Sequence, residues 1–128
     1  REHPARSHTL LRAHGVSDSL WLTIVLQHHE RPDGQGYPGQ LRGAAIEPLA
    51  RLVSLADIYS AMVLPREYRT GIRAQQAVRQ IFLARGQHVD AALAADFIGE
   101  IGVFPPGAFV RLVNGETGVV VRRGSPRR

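Results

Sequence analysis

Pro48-Leu49-Ala50-Arg51-Leu52-Val53-Ser54-Leu55-Ala56-Asp57-Ile58-Tyr59-Ser60-Ala61-Met62-Val63-Leu64-Pro65 is the stretch that decides the class of fold. Pro48 suits a first helical turn, where its missing N–H needs no partner, and Pro65 stops what precedes it. The apolar pattern from Leu49 to about Met62 therefore predicts a helix. Arg51, Ser54, Asp57 and Ser60 interrupt the run, which is too short and too polar to span a membrane.

Toward the N-terminus, residues 4 to 14 predict a short helix ended by Gly15. Ser17 or Asp18 then caps a second helix to about Glu30, with Leu20, Ile24 and either Leu26 or Val25 facing inward and Trp21 beside them. Between residues 31 and 45, Pro32, Gly34, Gly36, Pro38, Gly39 and Gly43 predict a loop of defined turns. Toward the C-terminus, residues 74 to 85 predict a helix closed by Gly86, and Asp90 caps another to about Ile101. After Phe104-Pro105-Pro106-Gly107 the period changes. Phe109–Val113 and Thr117–Val121, joined across Asn114-Gly115, predict a β-hairpin. The expected fold is all-α, a bundle of about five helices with a small C-terminal β-hairpin and no internal repeat.

The 128 residues are 44 % hydrophobic and 21 % charged, which suits one globular domain large enough to bury a core. The absence of cysteine excludes a disulfide scaffold and a thiolate metal site. The net charge of +5 comes wholly from arginine, and four of the sixteen lie at 122, 123, 127 and 128. Ahead of them, twelve arginines face eleven acids, a balance of +1. A basic, disordered tail over 123–128 explains the charge more simply than a DNA-binding face. With no signal peptide and no membrane span, the cytoplasm is the expected location.

Polar residues at apolar helix positions point to chemistry. His28 follows Leu20 and Ile24 at helical spacing, and His29 adjoins it. A lone histidine so placed is ordinarily a satisfied core residue; two in tandem ahead of a glycine-rich loop weaken that reading. Asp57 lies in a helix apolar on nearly all sides, where a carboxylate is costly unless paired with a cation or a metal. A salt bridge to one of the arginines is the competing account. Two imidazoles and a carboxylate make a nitrogen-and-oxygen site for iron, manganese, zinc or nickel. His3 is a third candidate or a surface residue, while His8, His14 and His88 read as surface positions. On the local sequence, Arg66 and Arg69 have a plain account as a solvated charge pair with nearby Glu67.

His28-His29-Glu30-Arg31-Pro32-Asp33-Gly34-Gln35-Gly36-Tyr37-Pro38 resembles the HHE-x-x-DG-x-GYP signature of HD-GYP domains, a branch of the HD phosphohydrolase superfamily. His3-Pro4, Leu55-Ala56-Asp57-Ile58-Tyr59, Arg66-Glu67-Tyr68-Arg69 and Val103-Phe104-Pro105-Pro106-Gly107 follow the order that family shows. The resemblance covers residues 3 to about 122. It implies an HD-domain-like bundle and a bacterial, cytoplasmic signal-transduction phosphodiesterase that hydrolyses cyclic di-GMP through linear pGpG toward GMP. It further implies a centre of two or three divalent ions, iron or manganese, with His3, His28, His29 and Asp57 as metal ligands. Substrate contacts map to Tyr37, Arg66 and Arg69, with Gly36, Tyr37 and Pro38 forming the motif loop. A diguanylate cyclase (GGDEF) domain is an implied partner.

Departures accompany the match. No His-Asp doublet occurs, Ser60 stands where the family often has aspartate, and Pro65-Arg66-Glu67 replaces the usual Asp-Arg-Pro order. Residues 1–122 are therefore expected to be the C-terminal two-thirds of an HD-GYP domain, helices over 4–102 and hairpin over 108–122. This fragment alone is expected to be inactive, its parent protein being the enzyme. The alternative is a catalytically inactive module that binds cyclic di-GMP or docks a protein.

Overall fold

In the computed structural model, residues 1–65, 67–68 and 70–122 are described. Five α-helices come first: α1 (His3–Ala13), α2 (Ser19–Gln27), α3 (Pro48–Val63), α4 (Ala74–Ala84) and α5 (Ala91–Ile101). A hairpin of β1 (Phe109–Arg111) and β2 (Thr117–Val119) follows. The fold is thus an all-α bundle with a small antiparallel appendage.

Local chemistry sets the boundaries. Pro4 and Pro48 occupy the opening turns of α1 and α3. Asp18 caps α2 by accepting from the Trp21 amide at 2.8 Å, and Asp90 caps α5 by accepting from the Leu93 amide at 3.0 Å. Leu64 is extended, as a residue before proline tends to be, so α3 stops there. α2 ends three residues earlier than the sequence suggests. The His29 carbonyl leaves the helix axis to accept the Tyr37 amide at 3.1 Å, and a tight turn from Glu30 back to Gln27 closes the end.

Packing runs in chain order, α1 on α2, α2 on α3, α3 on α4, and α5 against both α3 and α4. The core lies among the last three helices, where Leu55, Ile81 and Ala94, with Val89 from the α4–α5 connection, are buried and Ile58, Met62, Phe97 and Ile98 pack around them. Tyr59 meets Phe97 edge to face at 5.5 Å. An ion pair between Arg51 and the Asp90 cap, 2.7 Å, ties α3 to the start of α5.

The α2 stripe needs correcting. Leu22 is the buried residue, whereas Leu20 is 43 % and Trp21 51 % exposed. The helix rolls so that Leu22 meets its neighbours while the Leu20 side faces solvent. In the hairpin, Phe109 pairs with Val119 and Arg111 with Thr117, and Gly115 takes the positive φ that the turn requires. The strands are two residues shorter than expected at the turn side of β1 and the far side of β2. Residues 123–128, expected to be a basic tail, lie outside the described residues. No described helix is long and apolar enough to cross a membrane.

Candidate metal centre

Three imidazoles converge where α1 begins and α2 ends. Nε2 of His3 lies 3.2 Å from Nε2 of His28 and 3.1 Å from Nε2 of His29. One ligand atom from each of the three falls within 4.8 Å of the other two. Nitrogens bound at about 2.0–2.1 Å to one small divalent ion sit roughly 3.0–3.4 Å apart, so the two short separations match edges of a coordination polyhedron. Three ring nitrogens cannot all satisfy one another by hydrogen bonds, since each carries at most one proton or one lone pair. The residues present therefore fit a metal.

Ring orientation is set locally. Nδ1 of His28 donates to the Val25 carbonyl at 2.7 Å, because a carbonyl oxygen can only accept. That bond puts the proton on Nδ1 and leaves the Nε2 lone pair for an ion. Partial burial, followed by the charges of His28 and His3, holds the His29 pKa below its usual value, with Asp57 pulling the opposite way.

Asp57 corrects the expectation from sequence. It is exposed, as are Leu49, Leu52, Val53 and Ala56, which share its side of α3. Among the described residues no helix covers that face. Its charge reaches His29 through space, yet it stands outside the compact set of three imidazoles. His14 and His88 are exposed and His8 half-buried; the ring of His14 bonds back to the Leu10 carbonyl within its own helix.

The loop after α2 folds back onto the histidines. The Tyr37 ring stacks on the His29 ring, centroids 4.8 Å apart at 22°, and the Arg1 guanidinium lies 5.8 Å from the same tyrosine ring. Gly36 makes that return possible. A Cβ there would sit 2.4 Å from the Arg31 nitrogen and 2.6 Å from the His29 oxygen, distances no side chain tolerates. Asp33 shapes the first turn, accepting from the Gln35 amide at 3.0 Å and pairing with Arg31. Arg66 and Arg69, the expected phosphate contacts, lie outside the described residues.

Glu30 escaped the sequence reading, which treated it as the end of a helix. It is 2 % exposed, and its carboxylate accepts the Gly39 amide at 2.5 Å and the Leu41 amide at 2.9 Å. The available signal was an acid placed directly before a loop rich in glycine, whose unpaired amides need acceptors.

Residues 1–93 match the HD domain family. The chain is 36 % identical over 123 residues, 96 % of its length, to a cyclic di-GMP phosphodiesterase of Pseudomonas aeruginosa. The chain belongs to the HD domain family, in its HD-GYP branch. A cyclic di-GMP phosphodiesterase of Vibrio cholerae is 38 % identical to this HD-GYP chain over 104 residues, 77 % of it. The chain spans 30 % and 21 % of the lengths of these two relatives. Among solved structures, a cyclic GMP-AMP specific phosphodiesterase of Vibrio cholerae shares the fold with TM-score 0.60 and 21 % identity, over 76 % of this chain and 22 % of that one. An HDG"Y"P protein from Bdellovibrio bacteriovorus matches with TM-score 0.59 and 22 % identity, over 77 % of this chain and 31 % of its own.

Proposed function

We propose that this HD-GYP chain is part of a metal-dependent phosphodiesterase that hydrolyses cyclic di-GMP to linear pGpG and onward to GMP, in bacterial second-messenger signalling. The observation that carries the reading is the meeting of three ring nitrogens at 3.1 and 3.2 Å with a tyrosine stacked beside them. Relatives named as phosphodiesterases of cyclic di-GMP and of 3'3'-cGAMP support a phosphodiester substrate.

When bound, divalent ions such as iron or manganese would supply Lewis acidity, activating water and offsetting charge on phosphoryl oxygens. The chain's own residues do the rest. His3, His28 and His29 present nitrogen ligands, and the Val25 carbonyl keeps His28 in the tautomer that can bind. Asp57 adds an anionic group on the neighbouring helix. Tyr37 offers a ring face and a hydroxyl to the dinucleotide beside the centre, and Arg66 and Arg69 grip phosphate oxygens through paired N–H donors.

The test is turnover by the full-length protein carrying this chain, loaded with iron(II) or manganese(II) and offered cyclic di-GMP, cyclic GMP-AMP and linear pGpG, with products separated by chromatography. Hydrolysis of cyclic di-GMP that His28→Ala abolishes is the expected result. Binding that is unchanged by chelator, with the dinucleotide left intact, would instead make this a receptor or a docking module for a GGDEF domain.

A further inference from the structure

Glu30 is the one charged or polar residue that is buried among the described residues. It sits next to His29 in sequence, and its carboxylate engages the following loop. Both oxygens are used, Oε1 by the amide of Gly39 and Oε2 by that of Leu41. These amides flank the return of the chain just past Tyr37, and the Tyr37 amide is itself held by the His29 carbonyl. Gly39 is shaped for the contact, since a Cβ there would come 3.1 Å from Oε1.

We propose that Glu30 is the positioning residue of this site: by gripping the Gly39 and Leu41 amides it fixes Tyr37 against the His29 ring, so that the motif loop and the metal-binding imidazoles hold one geometry. The purpose of a charged acceptor here is physical. Loop amides close to a half-buried site have no strand or helix partner, and a carboxylate satisfies two at once more strongly than water or a carbonyl does. A loop held that way keeps a tyrosine in place without covering it.

This assignment rests on the reading of the three histidines as a metal site only for its consequence in catalysis; the grip itself is measurable without metal. In the metal-free full-length protein that carries this chain, NMR reads the Tyr37 ring current on the His29 ring protons and the hydrogen exchange of the Gly39 and Leu41 amides. In Glu30→Gln, where an NH2 group faces one amide that it cannot accept from, exchange at those two amides is expected to rise about tenfold. The His29 ring shifts are expected to move toward those of Tyr37→Ala, while core amides of α4 and α5 stay protected. Gly39→Ala, which leaves Glu30 intact and crowds Oε1, is expected to displace the same signals by a smaller amount, and it serves as the test if Glu30→Gln does not fold. Unchanged His29 shifts in whichever variant is folded would overturn the proposal. In the full-length enzyme, Glu30→Gln is expected to raise KM for cyclic di-GMP about tenfold while the affinity for manganese changes less than about threefold. A wild-type chain that binds no manganese but shows the ring-current result would sink the metal reading and leave the grip standing.

Discussion

The two ends of the bundle are stabilised by different means. Around Leu55, Ile81, Val89 and Ala94 the last three helices exclude water with aliphatic and aromatic side chains. Around the histidines the organisation comes from hydrogen bonds that side chains and carbonyls make to a returning loop. Glu30 holds Gly39 and Leu41, the Gln27 side chain accepts the Glu47 amide at 2.7 Å, and the Pro32 carbonyl accepts the Gly43 amide at 3.1 Å. The difference teaches how one small domain separates stability from function: burial is non-directional and tolerates small shifts, whereas a loop fixed by hydrogen bonds places a ring to within the reach of its neighbour.

Substitutions at the two ends should therefore fail differently. Leu55→Ala, in the apolar half, is expected to cost about 2–5 kcal/mol in urea unfolding and to leave any protein that remains folded able to bind metal. Gly36→Ala, in the hydrogen-bonded half, forces the loop off the His29 backbone. About 1–3 kcal/mol of destabilisation is expected, with loss of the Tyr37 ring current on His29 and, on the proposed function, cyclic di-GMP hydrolysis by the full-length protein reduced by at least about tenfold.

Asp90 refines the comparison because it joins an ion pair to a helix cap on the apolar side. The Leu93 amide, and after it the Arg51 guanidinium, hold its carboxyl below the ordinary value of 3.8. A depressed folded-state pKa contributes stability that is complete above the unfolded value and is lost as pH falls through the lower folded one. Asp90→Asn should then cost about 1 kcal/mol at pH 7 and nothing once the pH lies below the folded pKa, a convergence that unfolding curves between pH 7 and pH 2 would reveal. The smallest effect on stability is expected from His28→Ala. Exchanging a half-buried ring should change stability by less than about 1 kcal/mol, yet abolish manganese binding in calorimetry.

Much of this was readable in the chain. Prolines and caps mark their own boundaries by covalent chemistry, so the starts at Pro48 and Asp90 and the turn at Asn114-Gly115 followed from single residues. The tandem histidines and the glycine loop pointed to the site, because no core needs that combination. Three features were not readable. Which side of α2 faces inward depends on how neighbouring helices press on it, and Leu22 took the place of Leu20. Whether Asp57 is buried depends on what covers α3, which its own periodicity cannot say. Glu30 looked like a helix terminus, since the contacts that define it are nine and eleven residues away and run to backbone amides that carry no sequence signal.

One consequence concerns α1. Among the described residues of that helix only Pro4 is buried, and the element the helix packs on is α2. His3 reaches both His28 and His29. An ion shared by these rings would act as a staple between helices, and by mass action its concentration would set how often α1 frays. Cellular metal supply would then govern the integrity of the fold at this end together with the chemistry performed there.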